Sequence, residues 1–354
     1  MDAVELTLWA GLVIGLAFGI AARATGFCLV SGLRGWWAPA GTGTAKIRAF
    51  ALALALAIAG SQALDAAGLV DLRRSLYAQT SFAPALILTG GLLFGYGMVL
   101  ANGCGARALV LLPGGNLRSF VVLVSLGIAA YATLSGLIAP LRIAASAVGV
   151  VASPPDLAAA LAPYGFSEPA ARLVLALPLA TILAFLALRP AARGERGTLA
   201  GGAAVGLAVV AGWYATGVLG ADDFQPAPLA SLTFVAPVGE TIQYAMLATG
   251  MRPSFGVAIV AGVFLGALAT ALVTRTLLLE GFASPQAMLR SMAGGALMGV
   301  GGALALGCSI GQGLTGLSTL APASFVAAGG ILGGAWVALR GPLRVARPAV
   351  AEQS

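Results

Sequence analysis

Long apolar runs, separated by short polar or glycine-rich breaks, dominate this chain of 354 residues. A helix that crosses a bilayer needs about 20 mostly apolar residues, and about nine runs reach or approach that length. The predicted spans are about 6–22, 47–64, 84–101, 117–138, 169–188, 197–212, 254–275, 286–306 and 323–340. The pattern predicts an all-α polytopic membrane protein, because helices satisfy their own backbone hydrogen bonds in lipid.

The stretches between the spans differ in length and polarity. We interpret an apolar piece at about 141–151 and the Pro-rich residues 153–163 as a connector between the fourth and fifth spans. A long loop at about 213–240 leads into residues 239–250, GETIQYAMLATG, which are too few to cross the bilayer. This piece therefore predicts a short re-entrant segment.

The composition agrees with a membrane protein and excludes several functions. The chain is 59% hydrophobic and 9% charged, whereas soluble domains carry about 25% charged residues. The net charge of +7 does not indicate nucleic-acid binding, because the basic residues stand at span ends, where they orient a membrane protein. The absence of histidine excludes His-ligated metal, haem and a His general base. Three cysteines without a CxxC motif predict neither a disulfide framework nor a metal site, and we expect no cofactor.

Two cysteine-containing breaks resemble each other. LANGCGARAL (100–109) and LALGCSIGQGLTG (304–316) share L-A-x-G-C, and the two cysteines are 308 − 104 = 204 residues apart. With nine spans the two breaks would face opposite sides of the membrane, which is typical of an inverted-topology repeat. We predict a first half at 1–140 (spans 1–4), a connector with span 5 at 141–190, and a second half at 191–354 (spans 6–9).

The distribution of Lys and Arg predicts the orientation. Basic clusters follow the first, fifth and ninth spans, so these three ends are expected in the cytoplasm, with the N-terminus outside and the C-terminus inside. Arg73 and Arg74 fall on the opposite side. This pair is either an ordinary exception to a statistical rule or a funnel for an anion.

All three cysteines, Cys28, Cys104 and Cys308, occupy Gly-rich breaks beside apolar spans. Non-helical backbone at membrane depth is tolerated where it is buried in protein or lines a polar cavity, so such breaks suggest a path. A thiol is a weak S–H donor and can hold a soft anion without trapping it. Alternatively, each cysteine is a small residue that packs between helices.

Polar and small residues beside the breaks complete the candidate site. Arg107 would add positive charge, although an arginine there can also snorkel to the interface. Glu240 is either a polar contact of the path or a cap of its own short helix. The candidate path residues besides the three cysteines are Gly103, Arg107, Gly307, Ser309, Gln312, Glu240 and Gln243.

Three stretches carry a resemblance to a known family. GFCLVSGLRG (26–35), LANGCGARAL (100–109) and LGCSIGQGLTG (306–316) resemble the YeeE/YedE family of bacterial sulfur-transport membrane proteins. The resemblance implies an hourglass of nine crossing helices in the inner membrane, with loops that reach toward the centre. It also implies that thiosulfate, or a related sulfur or selenium species, passes along Cys28, Cys104 and Cys308. Some members work with a small TusA-like cytoplasmic sulfur carrier. The resemblance therefore allows a separate partner of this kind.

Three hypotheses follow for the function. The leading one is a transporter, not an enzyme, that takes up thiosulfate or a closely related sulfur-containing anion. No P-loop is present, so ATP-driven transport within this chain is not expected. The alternatives are a channel for another small anion or solute in which the cysteines only pack, and a membrane sulfurtransferase that uses a thiol.

Overall fold

The computed structural model describes residues 2–37, 43–79, 83–147, 168–189, 195–221 and 228–345, and these residues contain helices and no named strand. The helices are α1 (Ala3–Thr25), α2 (Leu29–Trp36), α3 (Thr44–Ala66), α4 (Leu76–Gln79), α5 (Pro84–Leu100), α6 (Gly105–Leu111), α7 (Leu117–Leu134), α8 (Ala139–Ala147), α9 (Glu168–Leu188), α10 (Arg196–Tyr214), α11 (Val235–Leu247), α12 (Phe255–Val273), α13 (Pro285–Leu304) and α14 (Pro322–Leu339). Single turns add 3₁₀ helix at Leu72–Arg74 and Leu112–Gly114, and π-helix at Ala215–Leu219 and Gly311–Gly316.

Helices of membrane-spanning length make up most of the molecule. Within the described residues, eight helical stretches are long and apolar enough to cross a bilayer. The ninth predicted span corresponds to α13, whose 20 residues are not among those eight. The prediction of an all-α polytopic membrane protein is confirmed.

Contacts between the ends of different helices define two opposite faces of the molecule. At the first face, Arg172 of α9 pairs with Asp65 of α3 at 3.4 Å, and the Gln62 amide donates to the Ser318 carbonyl at 2.8 Å. This face carries the connections at 67–79, 135–147, 228–234 and 305–321.

The second face is defined in the same way at the other helix ends. The Arg23 guanidinium at the end of α1 donates to the Thr276 carbonyl at 3.2 Å, and Arg48 pairs with Glu195 at 2.7 Å. This face carries the connections at 26–37, 101–116, 274–284 and 340–345. Helix α13 begins at the second face and ends at the first, so it runs the same distance as the eight stretches above.

Glycines bring the helix backbones into direct contact. A Cβ on Gly95 of α5 would lie 2.1 Å from the Ile331 carbonyl oxygen of α14, and one on Gly334 would lie 2.1 Å from the Leu92 oxygen. The α1–α12 contact has the same character, since a Cβ on Gly262 would lie 2.2 Å from the Leu12 oxygen. Lipid supplies no hydrophobic force between helices, so close van der Waals packing of this kind holds the spans together.

The pattern of helix packing repeats between the two parts of the chain. Helix α1 packs on α12 as α10 packs on α3, and α5 packs on α14 as α13 packs on α7. Among the short helices, α2 packs on α3 and α11 packs on α12, although α11 also packs on α7. Exchanging α1, α3, α5 and α7 for α10, α12, α13 and α14 leaves the pairs of long helices unchanged. A two-fold related repeat would give this arrangement; the repeat and its boundaries at residues 140 and 190 stay a prediction.

Some element boundaries differ from the sequence prediction. The sixth span was expected to end near residue 212, but α10 continues to Tyr214 and then through the π-turn to Leu219. The short segment begins at Val235 rather than at residue 239, with Pro237 in its first turn, where proline is tolerated. In the connector, helix α8 covers Ala139–Ala147, and residues 153–163 lie outside the described residues.

The glycine contacts generate a test with a matched control on one helix. We expect Gly334→Ala to lower the stability by about 1–3 kcal/mol, because its methyl group would overlap the Leu92 carbonyl. Gly329→Ala on the same helix meets nothing within 4 Å and is expected to be neutral or slightly stabilising. Thermal unfolding of both variants in detergent measures the difference. Equal midpoints would show that the α5–α14 contact does not depend on the absent side chain.

Candidate functional site

The breaks at Cys28 and Cys104 have similar backbone geometry. Each cysteine is the residue before a short helix, in an extended conformation, with φ of −165° at Cys28 and −82° at Cys104. Their carbonyl groups accept the first hydrogen bonds of α2 and α6, from Gly32 at 3.1 Å and Ala108 at 3.0 Å. The two short helices therefore fix the backbone that carries each thiol.

The break at Cys308 and the break at Cys104 have one backbone conformation in common. Asn102 and Leu306 both adopt the left-handed conformation two residues before the cysteine, with φ of 62° and 60°. The turn that follows Leu306 holds the Cys308 side chain, because the Gly311 N–H donates to its sulfur at 3.2 Å. The carbonyl oxygen of Cys308 also accepts from the Gln312 N–H at 2.7 Å.

Cys28 and Cys104 line one small cavity. Its volume is about 10 Å³, which is roughly the space that a single water molecule needs. The walls are mainly apolar, and Arg107 is the one charged residue among them. The residues around it include Phe18, Phe27, Cys28, Cys104, Arg107 and Ile310.

The third thiol is close to this pair. Cys104 interacts electrostatically with both Cys28 and Cys308, and the Ser309 hydroxyl approaches the Cys104 thiol. Ser309 is 1% exposed and its hydroxyl makes no well-aligned hydrogen bond to any described residue. The three cysteines are free and buried. The structure thus brings together the thiols of three breaks that lie up to 280 residues apart, from 28 to 308.

Arg107 and Gly103 act as a pair in this arrangement. Arg107 is half-buried on α6 and its side chain lines the cavity beside Cys28 and Cys104. A Cβ on Gly103 would lie 2.9 Å from Cδ of Arg107, so the glycine leaves room for the arginine stem.

Gln312 ties the Cys308 break to helix α13. The fully buried side chain donates through Nε2 to the Ala305 carbonyl, and its Cγ would lie 3.2 Å from a Cβ on Gly307. The other amide atom, Oε1, has no hydrogen-bond partner among the described residues. Gln312 therefore supports the break and offers a free acceptor inside it.

Glu240 and Gln243 are not among the residues of the cavity beside Cys28 and Cys104. Both are on α11, which packs on α7 and α12. The Glu240 carboxylate lies near Gly256 and interacts electrostatically with Tyr131. The alternative that Glu240 caps its own helix is wrong, because α11 begins at Val235 after Phe234, five residues earlier.

Sequence reasoning missed a link between the first two breaks. The Arg34 guanidinium donates to the Asn102 side-chain oxygen and, at 3.4 Å, to the Val99 carbonyl. This bond joins the break after α1 to the break after α5 at the second face. Both residues lie in the stretches quoted above, but no spacing rule connects positions so far apart. Tyr77, which lies near Cys308, was also missed because no motif surrounds it.

Comparison with known proteins identifies the family of this chain. A family model described as sulphur transport matches residues 24–337, a range that includes all three cysteine breaks. The chain belongs to this YeeE/YedE family of sulphur-transport membrane proteins. No curated protein matched the chain. Within the described residues, no cluster of three or more acidic or cysteine side chains could hold a metal ion.

The position of Arg107 predicts a charge preference at the thiols. We expect a negatively charged methanethiosulfonate reagent to modify Cys104 faster than a positively charged one, and Arg107→Gln to reduce this ratio about tenfold through the lost Coulomb attraction. Arg118→Gln is the control, because that exposed guanidinium donates to the Gly281 carbonyl at 2.7 Å. Peptide mapping by mass spectrometry gives the rate at each cysteine. An unchanged ratio in Arg107→Gln would show that the Arg107 charge does not influence the reaction at Cys104.

Proposed function

We propose that this protein takes up thiosulfate, or a closely related sulfur-containing anion, across the bacterial inner membrane along a path of three thiols. The observation that carries the proposal is the convergence of three free, buried thiols where broken helices meet, in a protein of a sulphur-transport family. Ser309, Gln312 and the backbone at Gly103 and Gly307 would add polar contacts within the path. Glu240 and Gln243 on α11 would line its approach.

The chemistry of neutral thiols suits passage better than capture. An S–H group donates a weak hydrogen bond to an oxygen or to the terminal sulfur of thiosulfate, and no covalent bond has to form or break. Arg107 offsets the negative charge of the anion while it is out of water. Several weak contacts in series bind the anion strongly enough to enter and weakly enough to leave.

The charges at the two faces support an orientation. The second face and its adjoining helix ends carry most of the described Lys and Arg residues, including Arg34, Lys46, Arg48 and Arg189. Because such residues accumulate on the cytoplasmic side, this face is proposed to be cytoplasmic, with the N-terminus outside and the C-terminus inside. A separate TusA-like sulfur carrier would then meet the anion at the second face.

A growth experiment tests the proposal. A bacterium that lacks its own sulfate and thiosulfate uptake is supplied with thiosulfate as sole sulfur source and with either the parent protein or Cys308→Ala. We expect the parent to restore growth, and Cys308→Ala to lower the initial rate of labelled thiosulfate uptake at least about tenfold, which corresponds to about 1.4 kcal/mol. Met298→Leu is the control, because it changes a fully buried side chain of α13 and conserves volume.

The other outcomes distinguish the alternatives. Uptake that is equal in parent and variant would leave transport in place and reduce the cysteines to packing. Non-saturating flux of unrelated anions in liposomes would indicate a channel. A persulfide on one cysteine, together with chemical conversion of the label, would indicate a sulfurtransferase. No growth with well-expressed parent would contradict thiosulfate as the substrate.

A further inference from the structure

The segment between α3 and α5 at the first face, residues 71–79, carries Arg73 and Arg74 but none of the candidate path residues. It is anchored at its start, where the Leu72 N–H donates to the Asp65 carboxylate at 3.0 Å and the Leu72 side chain is 1% exposed. Asp65 in turn pairs with Arg172 of α9. The segment is therefore built into the fold at a fixed place.

The segment has a charged outer side and a buried inner side. Arg73 and Arg74 are exposed, and Arg73 pairs with Asp71 at 3.1 Å. Ser75 and Tyr77, which follow directly, are buried. Positive charge thus stands at the surface above a phenol and a hydroxyl that point into the protein.

Tyr77 is held against the break that carries Cys308. Its ring meets Trp213 edge-on, with centroids 6.4 Å apart and an angle of 80°. Trp213 is fully buried and donates through Nε1 to the Ser318 hydroxyl at 3.2 Å, just beyond the π-turn of that break. Tyr77 also lies close enough to Cys308 for the two groups to interact electrostatically.

Several buried polar atoms around this point lack a protein partner. Within the described residues, the hydroxyls of Ser61, Ser75 and Ser324 and the Oε1 atom of Gln312 are buried without a hydrogen bond. A Cβ on Gly316 would lie 2.4 Å from the Ser324 hydroxyl and 2.5 Å from that Oε1 atom, so two of the four converge on one glycine. Buried polar groups are normally hydrogen-bonded. The unpaired atoms around this break therefore point to a polar molecule that binds among them.

We propose that Tyr77 is a substrate-contacting residue at the first face, where its phenol O–H donates to the incoming anion before the anion reaches the Cys308 thiol. This proposal rests on the proposed function and adds one residue to it: Tyr77, which follows the exposed Arg73 and Arg74 and lies beside the Cys308 break. Burial raises the pKa of the Tyr77 phenol, and the nearby Cys308 raises it further. The phenol accordingly keeps its proton and remains a donor throughout the physiological range. The step is hydrogen bonding alone.

Tyr77→Phe tests the donor role, because it removes one oxygen and keeps the ring on Trp213. We expect the KM for thiosulfate uptake to rise about tenfold while Vmax and the thermal midpoint stay near parental values. Tyr214→Phe is the control, since that phenol is 41% exposed on α10 beside Trp213. A parental KM in Tyr77→Phe, in cells where the parent transports thiosulfate, would overturn the proposal and leave the proposed function intact.

A second measurement does not depend on transport. In purified protein, the rate at which a small anionic methanethiosulfonate modifies Cys308 is followed by peptide mapping. We expect Tyr77→Ala to raise this rate at least tenfold and to leave the rate at Cys28 within twofold, whereas Tyr214→Ala changes neither. An unchanged rate at Cys308 in folded Tyr77→Ala would show that Tyr77 does not cover this thiol. If Cys308 is labelled faster in Tyr77→Ala but the parent protein takes up no thiosulfate, Tyr77 covers the route to Cys308 and thiosulfate is not the substrate.

Discussion

The architecture depends on helix backbones that touch without side chains between them. At the α5–α14 crossing, glycines on both helices place carbonyl oxygens where a Cβ would otherwise stand. The α1–α12 crossing uses the same device, and Gly202 and Gly206 of α10 meet the backbone of α3 in the same way. These three contacts draw the long helices close to one another, and the short helices that follow the breaks pack against them, α2 on α3 and α6 on α7. The thiols converge because the spans can approach.

The same contacts determine what the sequence could reveal about the fold. Apolar length identified the spans, since lipid demands about 20 apolar residues of any helix that crosses it. The ends were less certain. The extension of α10 through a π-turn to Leu219 was not predicted, although residues 213–219 are mostly apolar, and Pro237 in the first turn of α11 was not recognised as a helix start. Pairing of helices was beyond the sequence, because nearly every helix here carries glycine on some face.

The candidate site was predictable where it uses residue types that are rare in this chain. Only three cysteines occur, each in a glycine-rich break, so their convergence was a reasonable expectation. Arg107 was identified because a charge beside a span is costly. The pairing of Arg34 with Asn102 was not predicted, because two residues 68 positions apart form no recognisable sequence motif. Glu240 is not among the residues that line the cavity, and its place on the path stays a prediction.

The cavity beside Cys28 and Cys104 holds roughly one water molecule, and this small size matters for the cell as well as for the substrate. A bacterial membrane stores energy as a proton gradient, and a continuous file of water through a protein would dissipate it. On the proposed path, a centre this tight would interrupt such a file. An anion larger than water would then pass only while the packed breaks separate, so the rate of passage and the tightness of the seal would be set by the same local expansion.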